Sequence, residues 1–307
     1  MARGLLGKDH PLQLRHKRRM ALKKADLIIL AGAPMDFRLD YGRHFNGYSK
    51  LIFVNLDKKT LNQNKWIKRP TKKIRNKPAE FIISLSKITT FENKKWLKEL
   101  RTRDIKRNKE IASYSEQETD YVNPMKLCQE IENLIDDDSV LIGDGGDFIS
   151  TISYIVQPRQ ALKWLDPGVF GTLGPGAGFA LAAKLVNPDS EVWLFYGDGS
   201  AGYSLSEFDT FVRHELPIIA LLGNDASWQQ IAREQVELFE DPIGTKLRYT
   251  EYHKVVIGFG GKGFLLDNEE NIVDVLKKAK RSSSKGNPVL INALIGKTDF
   301  RKGSISM

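Results

Sequence analysis

Three short, uninterrupted apolar runs in the second half of the chain constrain its fold more than any other feature. Ser139-Val140-Leu141-Ile142-Gly143, Glu191 to Tyr196 and Ile218 to Leu222 lack polar alternation, so each reads as a strand covered on both faces. Helix-like segments separate them: Pro124 to Ile135, Gly174 to Leu185, Leu205 to His214, and one from Gln229. A last strand runs from Pro288 to Leu294. Strand and helix alternate throughout, which predicts an α/β fold with a mainly parallel, doubly wound sheet and helices on both faces. No internal repeat is present.

The front of the chain is different in surface and less complete in pattern. Leu27 to Gly32 and Leu51 to Asp57 read as two further strands, the first covered on both faces, with Ala33 to Arg38 as a loop at its carboxyl end. Residues 58–120 are polar and lysine-rich, and Trp96, Leu97 and Leu100 suggest one amphipathic helix in a connecting segment. The first 110 residues hold 29 Lys and Arg against 10 Asp and Glu, although the whole chain is only +9. Few aromatics interleave with these charges, and no zinc, homeodomain or RNA-recognition pattern occurs. They are expected to form solvated faces or a surface for anionic partners, with no nucleic acid as partner. The single cysteine, Cys128, excludes a disulfide framework and any thiolate-built metal site. No run approaches the ~20 apolar residues that span a bilayer, so the stretch reads as soluble.

Chemistry concentrates where two strands end. The run Trp193 to Tyr196 enters Gly197-Asp198-Gly199-Ser200, a turn that opens a helix, so glycines admit close approach and amides favour diphosphate oxygens. Asp198 could hold Mg²⁺ against those oxygens. Taken alone, the tripeptide is weak evidence, since a Gly-Asp-Gly after a strand is more often an ordinary tight turn. The next strand ends in Gly223-Asn224-Asp225-Ala226-Ser227-Trp228, and Asp225 follows Asp198 by 27 positions, one helix plus one strand. In a parallel sheet that spacing returns the chain to the same edge, where both carboxylates can face one cation.

In these motifs the sequence resembles the thiamine-diphosphate enzymes, whose metal-diphosphate signature is Gly-Asp-Gly followed, a helix and a strand later, by Asn-Asn. Leu165 to Ala180 is similar to the glycine-rich segment of the acetolactate synthases, and Ile28 to Asp57 is similar to their middle domain. The likeness covers most of the chain and extends to the acetolactate-synthase-like branch that includes 2-hydroxyacyl-CoA lyases. It implies the thiamine-diphosphate-binding fold at 121–307, a linker at 91–120, and a partial Rossmann-like middle domain at 1–90. Asp198, Asp225 and the Ser227 carbonyl would bind Mg²⁺, with Asp225 departing from the usual asparagine. Gly145, Gly146 and Asp147, together with Gly197, Gly199 and Ser200, would contact the diphosphate. Gly171 would offer its carbonyl to the aminopyrimidine, and Leu173 would wedge the cofactor into a bent form, although it also reads as plain core. None of the five histidines, His214 and His253 included, is assigned.

The same resemblance sets expectations about reaction and completeness. It implies decarboxylation of a 2-oxo acid with carboligation, or cleavage of a 2-hydroxyacyl-CoA, by a homo-oligomer. FAD is left open at Gly32, Asp36, Arg38 and Asp57, where Pro34 stands in place of the family's usual arginine. Substrate candidates are Gln229, Gln230 and Arg233, and Thr298 to Arg301 is expected to cover the site. The activating glutamate belongs to a domain with no counterpart in these residues, so no catalytic residue is assignable and the chain is expected not to turn over alone. Full-length relatives suggest the endoplasmic reticulum membrane through a preceding helix, with cytoplasm and mitochondrion left open. The alternative function is a non-catalytic scaffold or regulatory subunit that keeps the cofactor fold.

Overall fold

The computed structural model describes residues 3–89 and 92–302. They pack as two units, one of Leu14–Asn108 and one of the chain up to Gln13 together with the chain from Lys109.

In the first unit, β1 (Leu27–Ala31), β2 (Lys50–Asn55) and β3 (Lys72–Arg75) form a parallel sheet in that order. Helices α1 (Arg18–Lys24) and α2 (Pro78–Ile88) accompany it, and α3 (Lys94–Ser115) carries the chain onward. Ile28, Leu30, Leu51 and Phe53 build a small core with Met35, Leu39, Phe45 and Leu61. The expectation that Leu27 to Gly32 is covered on both faces is corrected here, because Ile28 and Leu30 are buried while Leu27 and Ile29 are exposed. Strand β3 lies within the polar segment read as a connection. Its Lys-Lys-Ile-Arg sequence has no apolar alternation, and an edge strand can pair through backbone alone.

The second unit holds α4 (Pro124–Leu134), β4 (Val140–Gly143), α5 (Asp147–Ile155), β5 (Trp164–Leu165), α6 (Gly176–Val186) and β6 (Val192–Gly197). It continues through α7 (Asp198–Ala201), α8 (Glu207–Arg213), β7 (Ile218–Asn224), α9 (Gln229–Phe239), α10 (Tyr252–Gly258), β8 (Lys262–Leu266), α11 (Ile272–Ser283) and β9 (Val289–Leu294). All six strands are parallel in the order β5-β4-β6-β7-β9-β8. Successive strand residues face opposite layers. Leu141, Trp193, Phe195, Ile219, Leu221 and Ile291 pack with Cys128, Ile131, Ile152 and Leu276 of α4, α5 and α11. Val140, Ile142, Leu194, Tyr196, Ala220 and Leu222 pack with Ala180, Phe208, Phe211 and Val256 of α6, α8 and α10. Burial on both sides is why these runs are apolar without a break.

Local chemistry sets the helix starts. Asn123 caps α4, its side-chain oxygen accepting from the Met125 amide at 2.8 Å, and Pro124 occupies the first helical position, where no amide is needed. After β4 the chain goes out to β5 on one side and then returns to β6 on the other. The gap between β4 and β6 is therefore the topological switch point, where open α/β sheets bind ligands. Among the described residues no helix is long and apolar enough to cross a membrane.

Candidate functional site

The switch point opens into a cavity of about 360 Å³ at the carboxyl ends of β5, β4, β6 and β7. Adjacent strands lie about 4.8 Å apart, so the lining spans roughly 14 Å of sheet edge. Gly145, Gly146 and Asp147 reach it from β4. Gly197, Asp198, Gly199 and Ser200 reach it from β6, Asp225 and Ser227 from β7, and Gly171 and Leu173 from the segment before α6. Every residue that the resemblance assigns to thiamine diphosphate or its metal thus lines one cavity, while the FAD candidates Gly32, Asp36, Arg38 and Asp57 are not among its lining.

Asp198 is 3% exposed. Its Oδ1 accepts the Gly199 amide at 2.8 Å and its Oδ2 accepts the Ser227 amide at 3.1 Å. Burial pushes the Asp198 carboxyl up to about 6. Asp225 is pushed up to about 8, first by burial and then by the negative charges of Asp198 and Asp147. Two acids crowded in one desolvated place, each with backbone amides near, are a donor set suited to a hard divalent cation. Mg²⁺ takes one or two carboxylates and completes its shell with phosphate oxygens and water. The residues present therefore fit a metal-diphosphate group. Asn224, which precedes Asp225, belongs to a buried network in which the Asn224 and Asn292 side-chain amides donate to the Thr250 carbonyl at 3.2 and 3.0 Å. Tyr252 Oη donates to the Asp198 carbonyl at 3.2 Å.

Close approach explains two glycines. A Cβ at Gly145 would stand 2.3 Å from Leu173 Cδ2, so the Leu173 side chain lies directly on the turn after β4. Gly146 has φ 109° and ψ 178°, a conformation only glycine adopts readily, and this turn aims the start of α5 at the cavity.

Several of the side chains named from the sequence have protein partners of their own. Asp147 is ion-paired with Arg233 and has Arg301 Nε 3.6 Å from its Oδ1. Arg233, a substrate candidate, is therefore occupied within the wall, whereas Gln229 and Gln230 line the cavity. In Thr298 to Arg301, Phe300 is buried against Tyr114 and Tyr154. In the first unit, Arg38 Nη2 donates to Asp36 at 2.6 Å, and Asp57 accepts from Thr60 Oγ1 at 2.8 Å. Residues not anticipated also line the cavity. Arg3 stacks 4.4 Å over the Trp164 ring, Trp164 Nε1 donates to Asp166 at 2.7 Å, and Trp228 lies against Gly199. Asp144, 2% exposed, was also unanticipated. Its Oδ1 accepts the Gly174 amide at 2.9 Å and its Oδ2 the Gly176 amide at 2.8 Å.

A doubly wound parallel sheet with two buried carboxylates and glycine turns at its switch point defines the class, an α/β protein with a ligand cavity at the carboxyl ends of its strands. Residues 144–293 match the family model for the thiamine pyrophosphate enzyme C-terminal TPP-binding domain, so the chain carries a domain of the thiamine-diphosphate enzymes. It is 47% identical over 315 residues to the zebrafish (Danio rerio) 2-hydroxyacyl-CoA lyase 2, covering 100% of this chain and 50% of that protein. The human (Homo sapiens) 2-hydroxyacyl-CoA lyase 2 matches at 47% with the same coverage. A probable acetolactate synthase of Mycobacterium bovis is 31% identical over 299 residues, 96% of this chain and 53% of that protein. The chain spans about half the length of these relatives.

Proposed function

We propose that residues 109–302 bind Mg²⁺ and thiamine diphosphate, and that the site serves cleavage or formation of a carbon–carbon bond next to a carbonyl. The reading rests on one observation: the glycine turns, the two crowded carboxylates and Leu173 all line the same cavity at the sheet's switch point. When bound, thiamine diphosphate supplies the nucleophilic carbon and the electron sink for such chemistry. The protein's own residues bind and orient. Asp198, Asp225 and the Ser227 carbonyl hold the metal, the turns at Gly145–Gly146 and Gly197–Ser200 receive the diphosphate, and Gly171 and Leu173 set the shape of the rest.

The relatives named 2-hydroxyacyl-CoA lyase 2 make a 2-hydroxyacyl-CoA the first substrate class to try, and the acetolactate synthases make a 2-oxo acid the second. Among the described residues, none that lines the cavity is a glutamate. Since the chain spans about half the length of these relatives, our reading is that the 307 residues alone bind cofactor without turnover, the group that addresses the cofactor's pyrimidine coming from elsewhere in a longer, oligomeric enzyme. Calorimetry with thiamine diphosphate and Mg²⁺ tests the assignment. Wild type should bind and Asp198→Ala should bind at least tenfold more weakly, the loss of a buried charged contact. Equal binding removes the cofactor assignment, and robust turnover of either substrate by the purified chain removes the claim of dependence.

A further inference from the structure

We infer that Asp144 is a positioning residue that holds the glycine-rich segment 171–176, and with it Leu173, in register with the diphosphate end of the cavity. The inference deepens the cofactor reading above and rests on it.

Asp144 follows β4 directly, and nothing in its sequence neighbourhood marks it. Its carboxylate is buried, yet no cation pairs with it among the described residues. Two backbone amides take that place, from Gly174 and Gly176, 30 and 32 positions away. Gly176 begins α6, so the carboxylate supplies an acceptor to a helix start whose amides have no partner within the helix. Ser200, in the turn after β6, brings its hydroxyl next to the same carboxylate. One carboxylate thus touches the end of β4, the segment before α6 and the turn after β6.

The packing leaves little slack. A Cβ at Gly176 would stand 2.6 Å from Asp144 Oδ2 and 2.8 Å from its Cβ, so the helix start is pressed onto the carboxylate. Leu173 precedes Gly174 and lies against Gly145, which follows Asp144. The two strands of contact interlock: Leu173 leans on the β4 turn by van der Waals contact, and Asp144 grips the chain just beyond it by hydrogen bonds. The turn at Gly197–Ser200 does not depend on this grip, since Ser200 Oγ also bonds the Gly197 amide and carbonyl, each at 3.1 Å. Loss of Asp144 should therefore free the Leu173 side of the cavity and spare the diphosphate side.

That asymmetry gives the test. Asp144→Asn keeps size and removes one of the two acceptors. Binding of thiamine diphosphate with Mg²⁺ should weaken about tenfold, as for loss of a charge-assisted hydrogen bond. Binding of inorganic pyrophosphate with Mg²⁺, which needs only the metal and diphosphate residues, should stay within twofold. Amide hydrogen exchange on the wild-type chain adds a measurement that needs no variant: the Gly174 and Gly176 amides should exchange as slowly as those of β6, and faster in Asp144→Asn. Fast exchange in the wild type, equal loss of both ligands in the variant, or no loss of either overturns the positioning role while the cofactor reading stands. A wild type that binds neither ligand overturns both.

Discussion

The Oδ2 of Asp198 accepts the backbone amide of Ser227 at 3.1 Å, so the turn after β6 is tied to the loop after β7 through the carboxylate assigned to the metal. The loop carrying Asp225 is thereby held close to a second acid. This arrangement costs stability in the protein without cation, because two carboxylates share a desolvated place.

Asp225→Asn should therefore make the metal-free protein more stable. The folded-state carboxyl is raised above its unfolded value, so the penalty is complete above about pH 8 and fades progressively as pH falls from there towards the unfolded carboxyl's value of about 4. An amide of the same shape carries no such penalty. A gain on the order of 2 kcal/mol at pH 8.5, several degrees in melting temperature, is expected from a shift of this kind. Mg²⁺ with pyrophosphate should close the gap by stabilising only the wild type. Thermal melts at pH 8.5 and pH 5.5 check both statements, and a variant that melts lower than wild type at pH 8.5 contradicts them.

Metal affinity should rise with pH for the same reason. Binding needs both carboxylates ionised, and they are raised to about 6 and about 8. Between pH 6 and pH 8 the association constant for Mg²⁺, measured with pyrophosphate, should climb about tenfold per pH unit where one proton is released per cation. Calorimetry in two buffers of different ionisation enthalpy counts that proton directly. An affinity independent of pH over this interval would mean that the pair is already ionised.

Gly223→Ala should destabilise through one named contact. The new Cβ would stand 2.3 to 2.8 Å from ring atoms of Phe148, the second residue of α5. Overpacking of this kind costs about 1–3 kcal/mol. Because Asp147 precedes Phe148 at the cavity wall, the displacement should also weaken cofactor binding. Phe148→Leu in the same chain should restore part of the loss, so a double-mutant cycle in urea measures the coupling; strictly additive effects would place the cause elsewhere.

Much of this site was legible in the sequence because its signals are local. A strand buried on both faces has no polar residue until it ends, so Trp193 to Gly197 and Ile218 to Asn224 announce both the strand and the place where chemistry begins. The edge strands were not legible: Lys72–Arg75 is mostly charged, Trp164–Leu165 is two residues long, and Lys262–Leu266 buries only Leu266 fully, so none of them carries a long buried apolar run. Asp144 was illegible for another reason. Its partners are amides about thirty positions away, and a backbone amide leaves no trace in the residue type that bears it. The occupation of Asp147 by Arg233, 86 positions on, is the same kind of long-range fact.

The loop bearing Asp225 depends on a polar cluster beneath it, and Asn292 is the residue through which that dependence can be measured. Asn292 is 1% exposed; its side-chain nitrogen lies 3.0 Å from the Thr250 carbonyl and 3.3 Å from His253 Nδ1, and its oxygen accepts from Asn224 at 3.2 Å. Burial holds the His253 ring below its usual range, which favours the neutral imidazole that Nδ1 needs in order to accept. Asn292→Leu keeps the branched shape and leaves the Asn224 amide and His253 Nδ1 each short of a partner, at a cost of about 2–3 kcal/mol. Asn224 immediately precedes Asp225, so the slackened loop should also bind Mg²⁺ with pyrophosphate several-fold more weakly. Urea unfolding and calorimetry on one preparation separate the two effects. Stability lost with metal affinity intact would show that the cluster supports β9 alone; both lost together ties the buried amides to the metal loop.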